Sequence, residues 1–124
     1  MSPTYLFFFL ITAAANATAQ LLLKRGAGSL SEVLSATGGW GSKLIKIFTN
    51  PFVVAAAIFL AAGMVLWIKL IGRVELSKAY PVNIALTIII TSLFSILFFG
   101  ESVSGFKVAG TGLIIAGLFL ILGS

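Results

Sequence analysis

The sequence contains no cysteine and no histidine, and only three of its 124 residues are acidic. Without cysteine there is no disulfide and no thiolate nucleophile, and the redox compartment cannot be read. Lacking both imidazole and thiolate, the chain has no good donor set for zinc or copper, and we expect neither metal nor cofactor. Charged residues of both signs reach only 9%, against about 25% in a soluble domain. A chain so poor in charge cannot cover a globule with polar surface. The shortage of acid leaves a net charge of +5, but the basic residues are scattered between apolar runs. That pattern excludes nucleic acid as a partner and points to anionic lipid headgroups. No nucleophile–base pair or metal cluster is legible, so the chain does not read as an enzyme.

What the chain has in abundance is apolar length. Hydrophobic residues make up 60% of it, and the mean hydropathy is +1.18. A bilayer core takes about 20 apolar residues in a helix, and four segments qualify, at about 5–23, 52–71, 79–99 and 106–122. Their backbone groups must bond internally in lipid, so each is expected to be a helix, giving an all-α membrane protein with one four-helix domain over 1–124. Pro81 is expected in the first turn of the third span, where its missing N–H costs little. Ala15-Asn16-Ala17 and Ala17-Thr18-Ala19 have the form of signal-peptidase sites, but no basic residue precedes the run and apolar residues resume at Leu21, so cleavage is not expected.

The longest connection, residues 24–50, holds two short amphipathic pieces, SEVLSAT and KLIKIF, suited to lie at the membrane surface. The first and third connections carry Lys24, Arg25, Lys43, Lys46 and Lys107. The middle one carries Lys69, Arg73 and Lys78. Five against three favours termini on the outer side.

Two spans carry polar stripes. Thr12, Asn16, Gln20 and Lys24 follow one another at intervals of four on the first, as do Asn83, Thr87, Thr91 and Ser95 on the third, with Tyr80 just before. A spacing of four puts side chains on one slowly drifting helical face. Such residues can act as hydrogen-bonding glue between packed helices, or they can line a path. Two carboxamides in line with a lysine favour the path. Lys24 either snorkels to the interface or, with Arg25, holds a phosphate or carboxylate at its mouth. Trp67 reads as interfacial or core filler, with stacking on a substrate as the alternative. Glu101, ahead of the fourth span, reads as an acid at a positive helix end. The fourth span instead has small residues at Gly105, Ala109, Gly112 and Ala116, with Gly110 and Gly117 seven apart. That is a close-packing face, and its expected partner is a second copy.

The ordered pieces Leu76-Ser77-Lys78-Ala79-Tyr80-Pro81, Phe98-Phe99-Gly100-Glu101 and Gly110-x6-Gly117, with Asn50-Pro51 and Trp67 earlier, resemble four-helix members of the drug/metabolite transporter superfamily. Two branches are similar. In the small multidrug resistance branch, resemblance implies dimers through Gly110 and Gly117, and proton-coupled export that depends on a glutamate within the first helix. This sequence has Ala13, Ala14, Ala15 and Asn16 there, and its acids are Glu32, Glu75 and Glu101. It thus lacks the buried carboxylate such exchange requires. In the other branch, AQLLLK at 19–24 and LSKAY at 76–80 resemble the paired small subunits that flip aminoarabinose-modified undecaprenyl phosphate. This resemblance implies a bacterial inner-membrane carrier of a lipid-linked sugar phosphate or similar anionic cargo, acting as a homodimer or with a related partner. The cargo would pass between the first and third spans, touching Asn16, Gln20, Lys24, Arg25, Tyr80, Asn83, Thr87 and Trp67. A small-solute exporter and a non-transporting membrane partner subunit remain the alternatives.

Overall fold

In a computed structural model that describes residues 3–124, the chain forms five helices. They are α1 (Pro3–Ser35), α2 (Trp40–Thr49), α3 (Pro51–Ile71), α4 (Leu76–Phe99) and α5 (Gly105–Leu122). All but α2 are long and apolar enough to cross a membrane. The first, second, third and fourth spans read from the sequence are thus α1, α3, α4 and α5.

Helix α1 runs twelve residues past the expected end at Leu23. At about 1.5 Å per residue its 33 residues make a rod of about 50 Å, against about 30 Å of hydrocarbon. Lys24 and Arg25 mark where it leaves the apolar layer, not where it stops. The stretch beyond them has no proline to break the intrahelical bonds. SEVLS is therefore the last part of α1, whereas KLIKIF lies within the separate amphipathic helix α2. Lys43 Nζ donates to the Leu34 carbonyl at 3.3 Å, satisfying one of the acceptors left at the end of α1.

Asn50 organises the next junction. Its Oδ1 accepts from the backbone N–H groups of Phe52 and Val53 at the start of α3, the usual service of an N-cap. Its Nδ2 donates to Ser29 Oγ at 3.1 Å, tying α3 to the projecting part of α1. Gly26 of α1 is buried at this crossing, where an added Cβ would lie 3.2 Å from Val53.

Helix α4 begins at Leu76, three residues earlier than expected. Pro81 therefore sits inside the helix and not in its first turn. The cost is held down because the carbonyl it leaves free, four residues back at Ser77, is on an exposed residue that water can reach.

Helix α1 is the hub. It packs along both α3 and α4, while α5 packs against α4. The tightest region lies where the start of α1, the end of α3, the start of α4 and the end of α5 meet. Phe9, Leu70, Ala79, Val82, Ala85 and Leu118 are buried there. Helix α4 ends on Gly100, whose left-handed backbone (φ 62°, ψ 28°) favours glycine over residues with a Cβ.

Candidate functional site

The polar stripe of α1 does not run straight. Residues four apart on an ideal helix step round by about 40°, so Thr12 and Lys24 differ by about 120° in direction. Thr12 is buried, and its hydroxyl donates to the Phe8 carbonyl at 2.8 Å. Asn16 turns to α3. A Cβ built on Gly63 would lie 2.9 Å from Asn16 Oδ1, so the carboxamide occupies space that only glycine leaves free. Gln20 and Lys24 come round to face the far half of α4.

There the two stripes meet. Helices α1 and α4 run parallel here, so the last turns of α4 lie level with Gln20 and Lys24. Gln20, Leu21, Leu23, Lys24 and Ala27 from one side, and Thr91, Ser95 and Glu101 from the other, line a crevice of about 370 Å³. Lys24 Nζ stands 3.8 Å from Glu101 Oε1 at its mouth. Thr91 Oγ1 is buried and has no hydrogen-bond partner among the described residues. Nor has Asn83 Oδ1, further along the same helix. Two orphaned polar atoms on α4 are costly in a low-dielectric surround, and one of them, Thr91 Oγ1, borders the crevice.

Arg25 points elsewhere. It lies with Thr18, Leu21, Leu22, Phe52, Phe98 and Phe99 around a second, largely apolar crevice of about 230 Å³. Its guanidinium is 5.9 Å from the centre of the Phe99 ring, within cation–π range. Leu21 lines both hollows and forms the partition between them.

Of the eight expected substrate contacts, Gln20 and Lys24 share one crevice and Arg25 borders the next. Asn16 faces α3. Asn83 and Thr87 sit along α4, with the Thr87 hydroxyl donating to the Asn83 carbonyl at 2.8 Å. Tyr80 and Trp67 form a tilted pair with centroids 6.2 Å apart, beside the packed core at the other end of the bundle. The sequence places Glu101 ahead of the fourth span as an acid at a positive helix end. It does precede α5, by four residues, but Ser104 supplies the N-cap there, and the Glu101 carboxylate turns to Lys24. Gly63 went unnoticed because a single glycine in an apolar run carries no signal of what faces it.

On α5 the small residues face open space. A Cβ added at Gly105, Gly110, Gly112 or Gly117 would meet nothing within 4 Å. The helix touches the core through Ile114, Leu118, Ile121 and Leu122. No cluster of metal-ligating side chains occurs among the described residues.

Comparison with known proteins agrees with this architecture. The model of the EamA-like transporter family matches residues 2–123. The chain is 38% identical over 78 residues to the probable 4-amino-4-deoxy-L-arabinose-phosphoundecaprenol flippase subunit ArnE of Aeromonas salmonicida (strain A449), covering 63% of this chain and 67% of that one. The protein of the same name from Hamiltonella defensa is 36% identical over 95 residues, or 77% and 83% of the two chains. That from Pseudomonas aeruginosa (strain UCBPP-PA14) is 32% identical over 107 residues, or 81% and 89%. No solved structure matches. With four span-length apolar helices and a family match over nearly its whole length, this multi-pass membrane protein belongs to the EamA-like transporter family.

Proposed function

We propose that the chain is a subunit of a bacterial inner-membrane flippase that moves a lipid-linked sugar phosphate between leaflets through the seam of α1 and α4. The observation that carries this reading is the crevice at the Lys24 end of that seam. Gln20, Thr91 and Ser95 offer hydrogen bonds to sugar hydroxyls, and Lys24 offers a cation to the phosphate. The apolar crevice beyond Leu21 gives the first hydrocarbon units of the lipid a surface next to the headgroup. Relatives named as flippase subunits for an aminoarabinose-linked undecaprenol phosphate support the cargo class.

The crevice opens at the end that the count of basic residues assigns to the cytoplasm, which makes it a loading site for cargo assembled on that side. Asn83, with its orphaned Oδ1, lies buried nearer the start of α4 and is the next hydrogen-bonding station in this reading. Transfer requires the opposite end, now packed around Phe9 and Val82, to open in a second state. The open face of α5 carries the second subunit, either another copy or a related chain, against Gly105, Ala109, Gly110, Gly112, Ala116 and Gly117.

The test is leaflet transfer of a short-chain polyprenyl phosphate sugar in liposomes holding the purified protein. Lys24→Ala and Gln20→Leu should each slow it. Unchanged rates in both would remove the seam as the route.

A further inference from the structure

Glu101 serves neither helix end beside it. Gly100 terminates α4, and Ser104 Oγ accepts from the Lys107 N–H to cap α5. Among the described residues the Glu101 carboxylate has one ion-pair partner, Lys24, at 3.8 Å. That is beyond hydrogen-bond length. Both side chains are well exposed, 63% for Lys24 and 42% for Glu101. A loose, solvated pair of this kind contributes under about 1 kcal/mol, so a ligand can part the two groups cheaply. The rest of the crevice lining is uncharged. The other nearby cations are engaged elsewhere. Arg25 stacks over Phe99, and Lys107 Nζ donates to the Ser102 carbonyl at 2.7 Å.

The lining of the crevice thus carries one positive and one negative charge, side by side, and no excess of either. A phosphate that reaches Lys24 comes close to the Glu101 carboxylate, an acceptor with no proton to offer. A neutral sugar leaves that repulsion uncompensated. A headgroup that carries both a phosphate and an ammonium replaces the resident pair one for one: phosphate on Lys24, ammonium on Glu101. Each new contact is a charge-assisted hydrogen bond, and the crevice stays neutral overall. Discrimination then comes from like-charge exclusion of the wrong ligand as much as from attraction of the right one.

We infer that Glu101 is the specificity-determining residue of the crevice, accepting the amine of an amino-sugar lipid phosphate and disfavouring the same lipid with a neutral sugar. The assignment rests on the reading of the crevice as a lipid-linked sugar phosphate site.

The experiment is equilibrium binding to the full chain in liposomes, with two probes. One is a short-chain polyprenyl phosphate bearing an amino sugar, and the other is the same lipid with that amine acetylated. The wild type should bind the amine form at least about tenfold more tightly. Glu101→Gln should cut binding of the amine form about tenfold while leaving or improving that of the acetylated form, so the ratio falls to near one. Glu101→Asp should restore part of the preference, and Lys24→Gln should weaken both probes. Helical content by circular dichroism checks that each variant is folded. If Glu101→Gln weakens both probes equally, or neither, the carboxylate does not read the amine and the assignment fails, although the flippase reading stands. If folded wild type binds neither probe, the flippase reading itself fails and takes this inference with it.

Discussion

The two ends of the α1–α4 seam are built from the same pair of helices and differ in almost everything else. At one end Phe9, Ala79 and Val82 are fully buried, and Leu70, Ala85 and Leu118 nearly so, with α3 and α5 both contributing. At the other end Gln20 and Lys24 face Thr91, Ser95 and Glu101 across a crevice, and residues 101–109 leading into α5 are exposed. The packed end is closed by dispersion contacts between complementary shapes. At the open end, long polar side chains cannot interdigitate without losing their hydrogen-bonding partners. A seam packed at one end and open at the other is the arrangement the proposed carrier requires in one of its two states.

Substitutions that distinguish packing from cargo handling should therefore separate cleanly along the seam. The largest effect is expected from Phe9→Ala at the closed end. Emptying that site should lower stability by about 3 kcal/mol, the usual range for a buried phenylalanine, read as a drop in the thermal unfolding midpoint in detergent. Gly63→Val forces a branched side chain against the Asn16 carboxamide and should cost about 1–3 kcal/mol as overpacking, in the same assay. At the open end the signature reverses. Lys24→Ala removes one charge-assisted contact and should slow leaflet transfer about tenfold, while stability changes by less than about 0.5 kcal/mol. Gly117→Leu lies on neither end of the seam and should change monomer stability least. It should weaken self-association a few-fold in analytical ultracentrifugation if that face is the subunit contact. A Phe9→Ala variant of unchanged stability, or a Lys24→Ala variant that unfolds as readily as Phe9→Ala, would erase the contrast.

The four spans were legible because hydrophobic length is read directly from composition, and a helix is the form lipid permits. Their ends were less so. Charge at Lys24 and Arg25 marks the edge of the apolar layer, but the backbone of α1 keeps its internal hydrogen bonds in water and continues to Ser35. Spacing showed that the first and third spans each carry a polar stripe, but not which of its members would lie opposite one another. Nor did it show the turning of Asn16 toward Gly63, because the helical repeat of 3.6 makes a stripe of fours wind round the rod, and only the position of α3 decides what each step meets. Arg25 next to Lys24 shows the same limit. Neighbours in sequence differ by about 100° in direction, so the two cations border different hollows. Glu101 was visible as a residue but not as a partner of Lys24, since that pairing spans 77 positions in the chain and depends on the turn at Gly100.

Because the chain has no native cysteine, single thiols report on the seam without background. The most direct test is labelling by a water-soluble maleimide in proteoliposomes, comparing Ser95→Cys in the crevice with Val82→Cys in the packed end. The account predicts rapid labelling at 95, none at 82, and slowed labelling at 95 when a polyprenyl phosphate amino sugar is added. Equal labelling at both positions, or labelling at 95 that the lipid leaves unchanged, would contradict it.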